Sequence, residues 1–261
     1  MSVLVQPRGT AAIHSVNPVA KLATALLIAF ALVLSIDWVS ASVALALELA
    51  LLAFAGVRAK TLLLRTAPIW IAAPFAGLTI LLYGKASGES HLEWMFVHVT
   101  DGSIELAIAT VVRLLAIALP GVVLFITVDP TDLADGLAQI VRLPARFVLG
   151  ALAGLRLVGL FLDDWRSLEL ARRARGLADH GRIRRLFGQA FALLVLSIRR
   201  GSKLATAMEA RGFGGATERT WARESRFGRP EWLLMLIGAA IAAAAVTASV
   251  ATGEWNFIAS A

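Results

Sequence analysis

A run of about 20 apolar residues constrains a chain strongly, because it crosses a bilayer as a helix whose backbone groups bond within the segment itself. Five such runs are visible, at 20–36, 39–57, 62–83, 104–128 and 232–252. A tight Asp37-Trp38 turn separates the first two. Pro68 and Pro74 interrupt the third, which predicts either one kinked helix or two half-helices. Composition agrees: 58% of residues are hydrophobic and 16% charged, against about 25% charged in soluble proteins. Disorder, collagen-like repeats and an ordinary cytosolic enzyme are excluded. The absence of cysteine excludes disulfides, thiolate metal sites and cysteine nucleophiles. Residues 1–19 are polar and carry Pro7, Asn17 and Pro18, so no cleavable signal peptide is expected.

Lysine and arginine set the orientation. Arg58, Lys60 and Arg65 lie between the second and third runs, whereas the loop 84–103 has Lys85 against Glu89, Glu93 and Asp101. The first of these loops is therefore expected in the cytoplasm and the second outside, with the N-terminus inside and the C-terminus outside. Trp38, Trp94, Trp232 and Trp255 fall near the expected interfaces, as in an aromatic belt. Segment 129–230 is different: it holds 18 of the 25 Lys and Arg residues and 10 of the 18 acidic ones, so the net charge of +7 is carried entirely there. That sign fits basic cytoplasmic loops rather than a nucleic-acid partner. An insert of this size reads as a domain.

The block reads as helices. Asp129 or Thr131 caps a short one, with Pro130 in its first turn, running to about Arg142 before Leu143-Pro144 ends it. A long helix follows over about 145–175 and another over about 184–211, after a turn at Asp179-His180-Gly181. Each begins apolar and ends charged. Neither apolar half reaches 18 unbroken residues, so neither is expected to span. Each is expected to pack on membrane at one end and on a soluble partner at the other. Both long helices end alike, in Ala174-Arg175-Gly176 and Ala210-Arg211-Gly212. Arginine in a last turn and glycine just past it are ordinary helix-end chemistry. Two copies 36 residues apart, each closing a basic helix, point further: to exposed guanidinium forks that pair carboxylates on a partner.

The apolar halves, around 147–162 and 187–198, read as a surface for another membrane protein, with Gly150, Ala151, Gly154 and Ala192 permitting close helix approach beside Phe191. Glu48 and Arg113 lie well inside expected spans and at similar depth, so either they pair and hold the second and fourth spans together, or Arg113 snorkels outward and Glu48 is protonated and hydrogen-bonded.

These features resemble a family, the transmembrane T component of energy-coupling factor (ECF) transporters, the ABC-type micronutrient importers of bacteria and archaea. The paired Ala-Arg-Gly signatures carry the resemblance most strongly, above all Ala207-Met208-Glu209-Ala210-Arg211-Gly212-Phe213. His14-Ser15-Val16-Asn17-Pro18 through Leu22 resembles the family's entry to its first span, with Asn17 where Asp is commoner. Thr127-Val128-Asp129-Pro130-Thr131-Asp132-Leu133, followed by Leu143-Pro144, is similar to its entry to the coupling domain.

The resemblance implies an all-α polytopic membrane protein with about five transmembrane helices and two long crossed coupling helices. The divisions are 1–128 (membrane), 129–230 (cytoplasmic coupling domain) and 231–261 (last transmembrane helix). It implies a scaffold in the plasma (inner) membrane, partnered by two cytoplasmic ABC ATPase subunits and one small membrane S component. Each arginine signature would dock in one ATPase, and ATP-driven motion would topple the S component to release a vitamin or transition-metal ion. No catalytic residue, cofactor or metal site is expected. Gly84-Lys85-Ala86 and Gly201-Ser202-Lys203 both fail the Walker A pattern. Asp135-Gly136 lacks the companions of a phosphotransferase metal site, and adjacent Asp163 and Asp164 diverge by about 100° on a helix. Each is expected solvated or paired with an arginine. His14, His91, His98 and His180 are scattered without ligand spacing. A stand-alone channel or secondary transporter is the remaining rival, and it would not need the basic block.

Overall fold

The computed structural model describes residues 15–35, 37–54, 59–84, 87–94, 97–176, 181–215 and 220–255. Arg58, Lys85, His14 and His180 lie outside the described residues. The described residues form two compact units. One is Asp129–Ser225; the other joins the residues up to Val128 with those from Arg226 on.

The larger unit is built from α1 (Pro18–Val33), α2 (Trp38–Phe54), α3 (Ala59–Tyr83), α4 (Asp101–Thr127) and α8 (Arg229–Thr252). Local chemistry starts each helix. Asn17 caps α1 through Oδ1, which accepts from the Val19 amide at 3.0 Å, and Pro18 supplies a preset first turn. Asp37 caps α2 by accepting the Ser40 amide at 2.6 Å. Thr100 and Ser103 cap α4 reciprocally: the Thr100 amide donates to Ser103 Oγ at 2.9 Å, and the Ser103 amide donates to Thr100 Oγ1 at 3.3 Å. The loop before α4 folds into an antiparallel hairpin of β1 (Ser90–Trp94) and β2 (Val97–Thr100), an element the sequence reading left as loop.

α3 is a single helix of 25 residues that contains both Pro68 and Pro74, so the half-helix alternative is not realised. Neighbouring helices tolerate the lost backbone bonds in a membrane. α3, α4 and α8 are long and apolar enough to cross a bilayer. α1 and α2 are shorter than expected, at 16 and 17 residues, or about 25 Å each at 1.5 Å rise per residue. They are apolar but fall a turn short of a full hydrocarbon core.

The core between α1, α2, α4 and α8 is made of Ile28, Leu32, Ala44, Ala116, Ile241 and Ala245. Half of these residues are alanine, which lets helices in lipid bind through close backbone approach. Gly238 is the tightest such point on α8: a Cβ there would stand 2.4 Å from Thr24 Cγ2 on α1. Thr24 is β-branched and its hydroxyl is tied to the Ala20 carbonyl at 2.8 Å, so it has little room to move. Gly238→Leu is therefore expected to destabilise by about 1–3 kcal/mol through overpacking. A lowered melting temperature of the detergent-solubilised chain measures this, and an unchanged one would contradict the close packing.

The smaller unit contains α5 (Pro130–Gln139), α6 (Ala145–Ala174) and α7 (Arg182–Ala210). Asp129 is the cap of α5, its Oδ1 accepting the Thr131 amide at 2.7 Å. α6 corrects one expectation. Its length and composition qualify it as a membrane-crossing helix, although the unbroken-run criterion had excluded it. Arg146 and Arg156 interrupt the run without making the stretch polar overall. No residue of α6 is buried, so its apolar half is bare in the isolated chain.

Candidate functional site

α6 and α7 form an antiparallel hairpin joined at specific points. Arg200 of α7 grips Asp164 of α6 bidentately, Nη1 on Oδ2 and Nη2 on Oδ1, the latter at 3.1 Å. Eight residues on along α6, Arg172 donates through Nη1 to the Arg185 carbonyl at 3.4 Å. Gly188 lets that guanidinium lie against α7, since a Cβ would come within 3.2 Å of Arg172 Nη2. Asp163 faces Arg166 at 4.0 Å. Both aspartates thus meet an arginine, as expected.

Away from these joints the helices part. Between 144–160 and 200–215 they leave a trench of about 1070 Å³. Its walls are apolar (Leu149, Leu152, Leu157, Leu160, Leu204, Met208), with Arg146, Arg156, Arg200 and Arg211 set among them. Of these four, the sequence reading singled out only Arg211. The spacing of Arg146 and Arg156, ten apart in an apolar stretch, was the signal available for the others.

The two signatures have the cap geometry their residue types predict. Gly176 has φ +67 and donates to the Arg173 carbonyl at 3.0 Å. Gly212 has φ +77 and donates to Glu209 at 2.9 Å, while Phe213 donates to Met208 at 2.9 Å. The second is a complete Schellman motif. Glycine is required at both positions because a side chain is strained at such φ. Ala174, Arg175, Gly176, Ala210, Arg211 and Gly212 are all exposed. Since α6 and α7 run antiparallel, the signatures lie at opposite ends of the hairpin. About 26 residues of helix separate them, a distance of roughly 40 Å. The small and aromatic residues read as a membrane-protein surface are open as well. Gly150, Ala151 and Gly154 are exposed with nothing near either glycine's Cβ position, Phe191 is 68% exposed and Ala192 is half-buried.

The Glu48–Arg113 pair is not formed. Neither carboxylate oxygen of Glu48 has a hydrogen-bond partner, and neither do Nε and Nη2 of Arg113. Asp37 caps the start of α2, and Glu48 lies 11 residues further along it, about 16 Å away by helix rise. Asp37 and Glu48 therefore sit at different levels along α2. Asp37 is 4% exposed and accepts from the Ser35 hydroxyl, the Ser40 amide and, at 2.8 Å, the Ser40 hydroxyl. Burial pushes its carboxyl up, but these donors outweigh burial and hold it below the usual carboxylate range.

Two polar joints went unread in the sequence. Asn17 binds the start of α8: its backbone amide donates to Glu231 Oε1 at 3.1 Å and its side-chain amide to the Arg226 carbonyl at 3.0 Å. An aspartate could not make the second bond, which accounts physically for asparagine there. Further along, Gln139 at the end of α5 clamps the irregular segment after α7, donating to the Arg223 carbonyl and accepting from the Ser225 amide, both at 2.8 Å. Arg223 also reaches Asp132 at 2.6 Å.

Comparison with known proteins gives a consistent picture. A family profile described as "Cobalt transport protein" (CbiQ) matches residues 9–222. Several curated relatives share one description, energy-coupling factor transporter transmembrane protein EcfT. That of Limosilactobacillus fermentum is 28% identical over 175 residues, 62% of this chain and 66% of the relative. That of Acidaminococcus fermentans is 26% identical over 243 residues, 88% of this chain and 89% of the relative. That of Bacillus selenitireducens is 29% identical over 175 residues, 62% and 65% of the two chains. The chain thus spans about two thirds of the first relative's length and most of the second's.

Proposed function

Because the chain belongs to the CbiQ family and is a membrane T component of an energy-coupling factor transporter, we propose that it transmits motion from two cytoplasmic ABC ATPase subunits to a small membrane S component. Arg175 and Arg211 are the docking points, one for each ATPase. The observation that carries this reading is the pair of exposed Arg-Gly helix ends about 40 Å apart on one antiparallel hairpin. No single groove on a small domain accommodates both, whereas two copies of one subunit take one each. The block 129–230 is the cytoplasmic coupling domain, with the N-terminus inside and the C-terminus outside. The cargo is a vitamin or a transition-metal ion and is chosen by the S component. Purification with a tagged copy of this chain tests the assembly. Recovery of two ATPase subunits and a small membrane protein is expected, and a chain that comes out alone would favour a channel or secondary transporter.

The S component covers the bare apolar face of α6 and α7, around Gly150, Ala151, Gly154, Phe191 and Ala192. An uncovered apolar face of this length calls for lipid or protein against it, and the open glycines admit a second helix closely. Gly154→Trp is expected to reduce recovery of the S component several-fold and to leave ATPase recovery unchanged. Equal loss of both would instead indicate a misfolded domain.

A further inference from the structure

The trench between α6 and α7 is chemically one-sided, and the docking function uses only its Arg211. It lies wholly within the unit Asp129–Ser225. Among the described residues its lining holds four arginines and no aspartate or glutamate, and Thr220 is the one other polar side chain. Arg200 is engaged by Asp164. That leaves Arg146 and Arg156, both exposed on α6. They stand ten residues apart, about 15 Å by helix rise. The surface between and beyond them is aliphatic: Leu149, Leu152 and Leu160 from α6, Leu204 and Met208 from α7. Arg146 lies over the Phe147 ring at 5.0 Å. That stacking takes one face of the guanidinium and steadies it, while the in-plane N–H edge still suits a phosphate bidentately. This wall is not the surface assigned to the S component. At 3.6 residues per turn, Ala151 and Gly154 point roughly 150° away from it.

We propose that the trench binds an anionic phospholipid, with its phosphate held by Arg146 and Arg156 and its acyl chains along the leucines. Charge complementarity fixes the sign of the occupant: cations set in an acid-free lining call for an anion. The aliphatic walls require that this anion carry long hydrocarbon. The volume, about 1070 Å³, stands at the upper end of small-ligand sites and far exceeds what a free ion fills. α6 is itself long and apolar enough to cross a bilayer, so its composition suits contact with lipid. An acidic helix of a partner would answer the charge as well. It would also bring donors, whereas the arginines of the lining are donors only and a phosphodiester presents acceptors only. The site needs no partner subunit, so it stands or falls apart from the docking reading.

The test is native mass spectrometry of the full chain in detergent, titrated with phosphatidylglycerol, phosphatidylcholine or glycerol 3-phosphate. Wild type is expected to bind phosphatidylglycerol about tenfold or more tighter than the zwitterionic phosphatidylcholine. Glycerol 3-phosphate, which lacks the chains, should bind at least about a hundredfold more weakly than phosphatidylglycerol. Arg146→Gln with Arg156→Gln should weaken phosphatidylglycerol roughly tenfold or more and leave phosphatidylcholine unchanged. Equal affinity for the two lipids overturns the proposal without recourse to any variant. Glycerol 3-phosphate binding as tightly as the lipid would make the trench a site for free phosphate, and the proposal would fall. It would fall too if the double variant kept its affinity for phosphatidylglycerol. Loss of an ATPase subunit from that variant on co-purification, with lipid affinity unchanged, would identify the trench as a protein-docking groove instead.

Discussion

The Arg175→Ala, Arg211→Ala double variant is expected to abolish substrate uptake, and each single change to lower it strongly. The reason is geometric. Each arginine sits at the C-cap of a long helix, exposed, with its backbone fixed by a glycine at positive φ. The guanidinium is thus presented at a defined place and makes no ion pair in the described residues. Truncating one side of a hydrogen-bonded charge pair at an interface costs about 2–5 kcal/mol, which is 30-fold or more in affinity. One remaining contact holds one ATPase poorly, and loss of both leaves nothing to drive. Abundance in the membrane is expected to stay near wild type, because exposed arginines contribute roughly 0–1 kcal/mol to folding. Lysine at both positions separates charge from shape: it keeps the cation but loses the planar fork, so uptake should stay well below wild type. Radiolabelled-cargo uptake in cells, normalised to membrane protein level, measures all three variants. Wild-type uptake by the double alanine variant would remove these residues from the coupling mechanism.

Helix identity was legible because it rests on local chemistry. Pro130 after Asp129, Arg175-Gly176 and Arg211-Gly212 each specify a helix end regardless of the surroundings, and the caps observed are those the residue types predict. The apolar runs likewise located every membrane helix of the larger unit. Side-chain partners were not legible, because they depend on which helix faces which. Counting residues from expected span ends sets Glu48 opposite Arg113. α2 begins directly at the Asp37 cap, however, and in the fold neither oxygen of Glu48 meets a guanidinium nitrogen. Lys21 stood in plain view at the second position of the first apolar run. Its meaning emerged only when α4 placed the Thr127 carbonyl beside it. The trench shows the same limit. Arginines ten residues apart line one wall only because α6 diverges from α7 beyond the Asp164–Arg200 joint.

The Asp37 cluster is where a single substitution should weaken the membrane unit most. Asp37→Ala removes two things together: the cap of α2 and the acceptor for the buried Ser35 and Ser40 hydroxyls. Losing a helix cap costs about 1 kcal/mol, and leaving the buried Ser35 and Ser40 hydroxyls without their acceptor about 1–3 kcal/mol each. The melting temperature in detergent is expected to fall by roughly 10 °C or more. Asp37→Asn keeps an acceptor for the cap and loses the charge, so it should fall between wild type and alanine. Glu48→Gln with Arg113→Met should show no coupling, because the two side chains do not meet. The pH dependence has a definite sign. The native carboxyl titrates below its ordinary value, so its contribution is complete above that value, about pH 4. It disappears as pH falls through the lower native value. Wild type should therefore lose stability on acidification in a step that the alanine variant lacks. Parallel acid profiles of the two proteins would show that Asp37 is not the group stabilised in the fold.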